Sequence, residues 1–171
     1  MPNSEAFVSD TDTKQSISVS IPTLSDGADI WRLAKATGTL DLNASYTYLL
    51  WCRDFANTSI VAKVDDTLVG FITGYLRQEA PTTLMIWQVA THEQMRGRGI
   101  AGTMLNQLFD RCEQAHGVSR LETTITADNE ASIKLFTRFG QNRDMTVNRE
   151  PLLTSELFPD AHDTEYLYRI G

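Results

Sequence analysis

The stretch from Leu84 to Cys112 constrains the fold of this chain more than any other. Leu84-Met85-Ile86-Trp87-Gln88-Val89-Ala90-Thr91 is a short apolar run with aromatic and β-branched members, which predicts a buried strand. Ile100, Met104, Leu105, Leu108, Phe109 and Cys112 then recur at helical spacing and predict a long amphipathic helix. Between them the loop His92–Ala101 places Gly97 and Gly99 where the helix begins. The first turn of a helix carries N–H groups without partners and the positive end of its dipole. Such a turn is a ready site for phosphate or pyrophosphate. Arg96 and Arg98 add positive charge to it. The blander alternative is that the glycines only make the turn and the arginines are solvated.

The rest of the composition narrows the setting. At 171 residues the chain is long enough for one domain with a sizeable core. A net charge of −7 argues against a general nucleic-acid or anionic-membrane binder. It suits a cationic substrate, although an acidic soluble surface accounts for most of it. Cys52 and Cys112 are the only cysteines, each on an expected buried helix face, so a disulfide framework is not expected. Three histidines and two cysteines show no metal-ligand spacing, and no metal is expected. His92 and His116 read as loop or surface residues. No apolar run approaches a membrane span. The start, Met1-Pro2-Asn3-Ser4-Glu5, shows no signal-peptide pattern, so a reducing cytoplasm is the expected location.

In chain order, Met1–Gln15 is polar and reads as a flexible tail, leaving 16–171 as a single domain. Ile17, Val19 and Ile21 alternate as a first strand, stopped by Pro22. Ser25 is the expected cap of a helix carrying Ile30, Leu33 and Ala34 and closed by Gly38. A second helix follows the turn Leu40–Ser45, with Tyr46, Leu49, Leu50 and Phe55 on its expected inner face. Ser59–Lys63 and Leu68–Tyr75 read as a hairpin through Asp65-Asp66. Gly70 and Gly74 inside its second strand predict a bulge or a close neighbour. After the central strand and helix, Arg120–Ile125 is a strand. Asp128 or Asn129 caps a helix with Ala131, Leu135, Phe136 and Phe139 on one face, ended by Gly140. Val147 marks a further strand, Arg149–Asp163 a loop broken by Pro151 and Pro159, and Tyr166–Ile170 the last strand.

The order Gln94-x-x-Gly97-x-Gly99 is neither the dinucleotide fingerprint, which needs a third glycine, nor a P-loop, which needs Gly-Lys-Ser/Thr. It resembles the acetyl-CoA pyrophosphate loop of the GCN5-related N-acetyltransferase family, whose pattern is Gln/Arg-x-x-Gly-x-Gly/Ala. That resemblance implies a mixed α/β fold, a mostly antiparallel central sheet flanked by helices. It implies acetyl-CoA held by Gln94, Arg96, Gly97, Arg98, Gly99, Ile100 and Ala101, with the pantetheine arm along Val89, Ala90 and Thr91. It implies a backbone N–H at Val89, beside a strand bulge, as the donor to the thioester carbonyl. Asn129 matches an Asn that family members carry at the following helix, where it also serves as a cap. The family often has a Tyr seven residues later as acid toward the leaving thiolate; here that position is Phe136. The usual acid is therefore absent, and another group fills the role or none is needed.

Further stretches resemble a branch of that family, the L-2,4-diaminobutyrate acetyltransferases of ectoine biosynthesis. They are Leu40–Leu50, Gly70–Tyr75, Trp87–Ala90, Leu121–Thr126 with Asp128–Ser132, and His162-Asp163 with Glu165 and Tyr168–Ile170. The resemblance spans roughly Ile17 to Ile170. It implies acetyl transfer to the γ-amine of L-2,4-diaminobutyrate in a homodimer. A substrate with two ammonium groups calls for carboxylates and an aromatic face. Asp41, Tyr46, Trp87, His162 and Glu165 have those types in the matching stretches. Asp41 and Glu165 are expected to hold the ammonium groups, and either Glu165 or His162 to take the proton, directly or through water. The alternatives are that Trp87 is core, Asp41 a helix cap and Glu165 a solvated strand residue. Two rival functions are an acetyltransferase with another acceptor, such as a polyamine, and a non-catalytic acyl-CoA-binding domain.

Overall fold

The computed structural model describes residues 16–171; the expected tail, 1–15, lies outside the described residues. Seven strands form one sheet: β1 (Ile17–Ser20), β2 (Ile60–Val64), β3 (Thr67–Arg77), β4 (Ala80–Thr91), β5 (Arg120–Thr126), β6 (Val147–Leu153) and β7 (Glu165–Ile170). Their order is β1-β2-β3-β4-β5-β7-β6. Every pairing is antiparallel except β4 with β5. Four helices flank the sheet: α1 (Gly27–Thr37), α2 (Ser45–Asp54), α3 (Ile100–His116) and α4 (Glu130–Asn142). The mixed, mostly antiparallel α/β fold expected from the sequence is the one observed.

The two sheet faces bury different helices because side chains alternate along each strand. Ile60, Ala62, Ile72, Leu84, Ile86, Leu121 and Ile125 face α3 and α4, meeting Met104, Leu105, Leu108, Phe109, Phe136 and Phe139. Val61, Phe71 and Ala90 face α1 and α2, meeting Ile30, Leu33, Ala34, Tyr48 and Cys52. Phe109 and Phe139 meet edge-on at 5.2 Å between centroids. Truncating a side chain buried like Phe109 costs about 3–5 kcal/mol. The β2–β3 hairpin turns through Asp65 and Asp66, both at positive φ (47° and 63°), a backbone twist that suits a two-residue hairpin. Gly74 is required by close approach: a Cβ there would lie 2.9 Å from the carbonyl oxygens of both Met85 and Thr58.

Several local expectations are corrected. Ser25 caps nothing. A 3-10 turn, Leu24–Asp26, precedes α1, and the Asp26 carboxylate accepts from the Thr23 backbone N–H at 2.7 Å and from its hydroxyl at 3.0 Å. Asp26 is buried and paired to Lys63 of β2 at 2.6 Å, so it fastens α1 to the sheet. The inner face of α2 is Tyr48 and Cys52, while Tyr46, Leu49 and Phe55 are exposed and Leu50 half-buried. Tyr48 can face inward because its hydroxyl finds a partner there. Of the two candidate caps for α4, Asn129 is the one whose Oδ1 accepts from the Ser132 N–H, at 3.1 Å. Ala131 is exposed and outside the buried face. Gly140 does not end α4. It lies buried inside the helix, where a Cβ would sit 2.5 Å from Val147 and 3.1 Å from Ile170. Arg149–Leu153, expected in a loop, continues β6 as an edge strand, and Pro151 falls where an edge tolerates a missing N–H.

Candidate active site

β4 and β5 pair only from Thr83↔Arg120 to Ile86↔Thr123. Beyond that point β4 stays with β3 as far as Gly70↔Thr91, and β5 stays with β7 as far as Thr126↔Glu165. The two strands therefore part, and the sheet opens between them. A bulge sits at the same place. Gly74 pairs with Ile86 and Thr73 with Gln88, so Trp87 is the extra residue on β4. Past the bulge, the Gln88 N–H turns to Thr73 Oγ1 (3.1 Å) and the His92 N–H to the Val69 carbonyl (2.7 Å), both on the β3 side. Strand alternation then turns the N–H groups of Val89 and Thr91 the other way, into the gap.

At the end of β4 a 3-10 turn, Glu93–Met95, is capped by His92, whose Nδ1 accepts from the Gln94 N–H at 3.3 Å. Arg96 to Gly99 is exposed, and Gly97 and Gly99 take positive φ (77° and 76°). Left-handed backbone at both glycines lets the chain turn directly into α3. The first bond across the helix start is Thr103 N–H to Gly99 O at 2.9 Å, which leaves the preceding N–H groups without helical partners. A Cβ on Gly97, Gly99 or Gly102 would meet nothing within 4 Å, so open space lies over this turn. Arg96 and Arg98 flank it, Ala101 is half-buried, and Ile100 is buried and anchors the turn to the core. Unpaired N–H groups, open space and two cations together fit a pyrophosphate. Asn129 caps α4 just beyond the end of β5, and Phe136 is buried in the core about two turns further on.

On the α1–α2 side, residues from both ends of the chain converge. His162 Nε2 lies 3.1 Å from Asp41 Oδ2 and 3.9 Å from Glu165 Oε1. Its Nδ1 is 2.7 Å from the Asp163 carbonyl oxygen and so donates to it, leaving Nε2 toward the two carboxylates. Phe158 stacks on the imidazole at 4.0 Å. Glu165 stands where β7 meets the end of β5, and Asp41 is tied through its carbonyl to Gln88 of β4. The cluster therefore bridges the two strands that part.

The electrostatics follow from that placement. Burial pushes the Glu165 carboxyl above its ordinary value, and Asp41 and Asp128 push the same way against the Thr124 hydroxyl and His162. The Asp163 carbonyl, then Asp41, hold His162 above the ordinary imidazole value. A carboxylate and an imidazole so poised can hold an ammonium group and take up a proton.

Of the residues singled out by sequence, Asp41, His162 and Glu165 are brought together. Trp87 is 43% exposed and packs on Trp51 of α2 at 4.2 Å, with Phe55 and Tyr75 around Trp51. Tyr46 is 66% exposed on the outer side of α2 and makes no side-chain hydrogen bond among the described residues. The tyrosine that does reach the site is Tyr48, through Gln88. Gln88 lies in the stretch Trp87–Ala90 but receives no role from sequence, because an uncharged amide in an apolar strand names no chemistry; its burial and its two partners reveal it. Among the described residues no group of three His, Cys, Asp or Glu is arranged to hold a metal ion, and no helix is long and apolar enough to cross a membrane.

Comparison with known proteins bears on the same region. Residues 28–141 match the model of the Acetyltransferase (GNAT) family. The chain is 53% identical over 152 residues to the L-2,4-diaminobutyric acid acetyltransferase of Streptomyces avermitilis, covering 88% of this chain and 85% of that one. It is 45% identical over 151 residues to the enzyme of that name from Marinococcus halophilus, covering 88% and 87%. Among solved structures, the diaminobutyrate acetyltransferase EctA of Paenibacillus lautus, in complex with L-2,4-diaminobutyric acid and coenzyme A, superposes with a TM-score of 0.87. The identity there is 35%, over 92% of this chain and 95% of that one.

Proposed function

The chain belongs to the acetyltransferase (GNAT) family, and from that premise we propose that it transfers the acetyl group of acetyl-CoA to the γ-amino group of L-2,4-diaminobutyrate. The observation that carries the acceptor is the convergence of Asp41, His162 and Glu165 across the opening between β4 and β5. Two carboxylates beside an imidazole suit a small dicationic amino acid better than a neutral or anionic acceptor.

Acetyl-CoA, when bound, supplies an activated acetyl thioester. The α3 turn at Gly97–Ala101, with Gln94, Arg96 and Arg98, holds its pyrophosphate, and Val89–Thr91 line its arm. The Val89 N–H, aimed into the gap, donates to the carbonyl oxygen as charge grows on it. Asp41 and Glu165 hold the two ammonium groups, with Trp87 as the aromatic part of the pocket, and so present the γ-amine to the opening. Glu165 or His162 takes the proton that the γ-ammonium must lose. With Phe136 at the position of the usual acid, the thiolate leaves without help from that side chain, as a good leaving group can. Asn129 keeps its cap and lies beside the cofactor.

The product is N4-acetyl-L-2,4-diaminobutyrate, the precursor that cyclises to the osmoprotectant ectoine. A single domain over 16–171, acting as a homodimer in the cytoplasm, completes the reading. Its support is the family resemblance, the exposed Leu152, Leu153 and Leu157 along and after the edge strand, and two buried free thiols. Burial, with Asp26 nearby, pushes the Cys52 thiol up to about 11, which keeps it inert.

The test is thiol release from acetyl-CoA with L-2,4-diaminobutyrate, ornithine, lysine, spermidine or no acceptor, with the acetyl position read by NMR. Fast release with diaminobutyrate alone and acetylation at the γ-nitrogen are expected. Preference for another amine overturns the acceptor, and binding without release with any amine overturns catalysis.

A further inference from the structure

Gln88 is the residue after the bulge, and it is fixed at every polar group. Its backbone N–H donates to Thr73 Oγ1 at 3.1 Å. Its side-chain Oε1 accepts from the Tyr48 hydroxyl at 3.0 Å, and its Nε2 donates to the Asp41 carbonyl oxygen at 2.8 Å. It is 6% exposed and Tyr48 is 2% exposed, so the bond between them is shielded from water, while the bond to Asp41 is partly buried. A buried amide satisfied in this way has one orientation open to it, because rotating it would strand a donor and an acceptor.

Apart from the His162 contact at its carboxylate, Asp41 is held among the described residues only by this bridge. The Asp41 side chain is 86% exposed, in a turn between α1 and α2. Among the described residues, the Gln88 amide is the only group bonded to the Asp41 backbone. The residue next to Gln88 is Val89, whose N–H faces the gap. One buried side chain therefore connects the backbone proposed to meet the thioester to the turn that carries the Asp41 carboxylate. The distance between those two points is the length available to the acceptor.

We propose that Gln88, braced by Tyr48, is a specificity-determining positioning residue: it fixes Asp41 relative to Val89 and so selects the number of methylenes between the acceptor's two amines. The proposal rests on the diaminobutyrate reading above. The bulge at Trp87 gives the mechanism its geometry. By adding a residue it turns Trp87 and Gln88 to the same side of the sheet, where Trp87 meets Trp51 and Gln88 meets Tyr48, both on α2. Without the bulge, Gln88 would point toward α3 and could not reach Asp41.

Steady-state kinetics of the full chain test this, with diaminobutyrate and ornithine as acceptors, for wild type, Gln88→Met and Tyr48→Phe. One methylene is worth about 10- to 200-fold in a site of fixed length, so the wild-type chain prefers diaminobutyrate by about that factor. Gln88→Met keeps the volume and removes both bonds. It lowers the preference by about 10-fold, raises KM for diaminobutyrate, and leaves KM for acetyl-CoA within about 2-fold. Tyr48→Phe removes one hydroxyl and gives a smaller change in the same direction. Unchanged preference in both variants overturns the proposal, as does an equal loss with both acceptors, which is what a purely structural role produces. If Gln88→Met does not fold, Tyr48→Phe decides alone. A wild-type chain that prefers ornithine overturns the diaminobutyrate reading, and the variant-to-wild-type ratio still decides Gln88. A wild-type chain inert toward both overturns the reading and this inference together.

Discussion

On the proposed reading, the acetyl-CoA side of the site comes from one continuous segment, β4 through the first turn of α3, and what it offers is mostly backbone. The proposed amine side comes from Asp41, His162 and Glu165, the first two 121 positions apart, and what it offers is side chains. The first side needs particular φ angles, at Gly97 and Gly99, and tolerates many side chains. The second needs particular carboxyl and imidazole groups and takes its geometry from packing elsewhere. The same family scaffold can therefore keep its cofactor side while changing its acceptor.

The largest test of this contrast is Glu165→Ala. A lost proton acceptor is expected to lower kcat with diaminobutyrate by about 10²- to 10⁴-fold, with KM for acetyl-CoA unchanged. His162→Ala in the same assay assigns the base to whichever variant loses more. The pH profile gives an independent answer. A base works only when deprotonated, so kcat/KM falls as pH drops through its free-enzyme value. Both groups are raised, so the limb lies above the ordinary carboxylate value if Glu165 is the base, and above the ordinary imidazole value if His162 is. Unchanged turnover in both variants would break the contrast.

Next comes Asp26→Asn, which loosens the scaffold of the amine side by uncoupling α1 from β2. Leaving Lys63 unpaired is expected to cost about 2–3 kcal/mol in denaturant unfolding. Burial raises the Asp26 carboxyl, but Lys63 and Thr23 outweigh it and leave it lowered. Its contribution is thus present above the ordinary carboxylate range and is lost as pH falls through the lowered value. The Asn variant should lack that part of the acid sensitivity, and acid titrations of both proteins check it.

Gly99→Ala probes the backbone side. A side chain at φ 76° costs roughly 1–2 kcal/mol, read as about a 10-fold rise in KM for acetyl-CoA with acceptor preference intact. A change of acceptor preference instead would blur the two sides into one. The smallest effect is expected from Arg98→Ala: about a 2- to 3-fold rise in KM for acetyl-CoA that vanishes at high salt, since an exposed charge is screened.

The same contrast explains what was legible in the sequence. Gly97 and Gly99 opening a helix after an apolar strand are local signals, and the turn they make is the one expected. The order of strands and helices was likewise carried by periodicity. Asp41, His162 and Glu165 were reached through resemblance, because nothing local ties a turn residue to the last strand. The misreadings share one cause, a polar or small residue whose value appears only across the sheet. Tyr48 looked less apolar than Leu49 and Leu50, yet it is buried because Gln88 receives its hydroxyl. Gly140 looked like a helix stop, yet it is the contact that lets Val147 and Ile170 pass close to α4. Pro151 looked like a break, but an edge strand has a side where no N–H is needed.

The parting of β4 from β5 has a consequence for amide hydrogen exchange. Gln88 and His92 have N–H groups bonded toward β3. Val89 and Thr91, between and beside them, have theirs turned into the opening. Along a few residues of one rigid strand, protection should therefore alternate, with fast exchange at 89 and 91 and slow exchange at 88 and 92. Exchange would then report solvent access rather than strand pairing, since the quick amides sit on the same paired strand as the slow ones. Coenzyme A bound along the strand should slow those two amides selectively, so that deuterium uptake traces the path of the ligand at single-residue resolution.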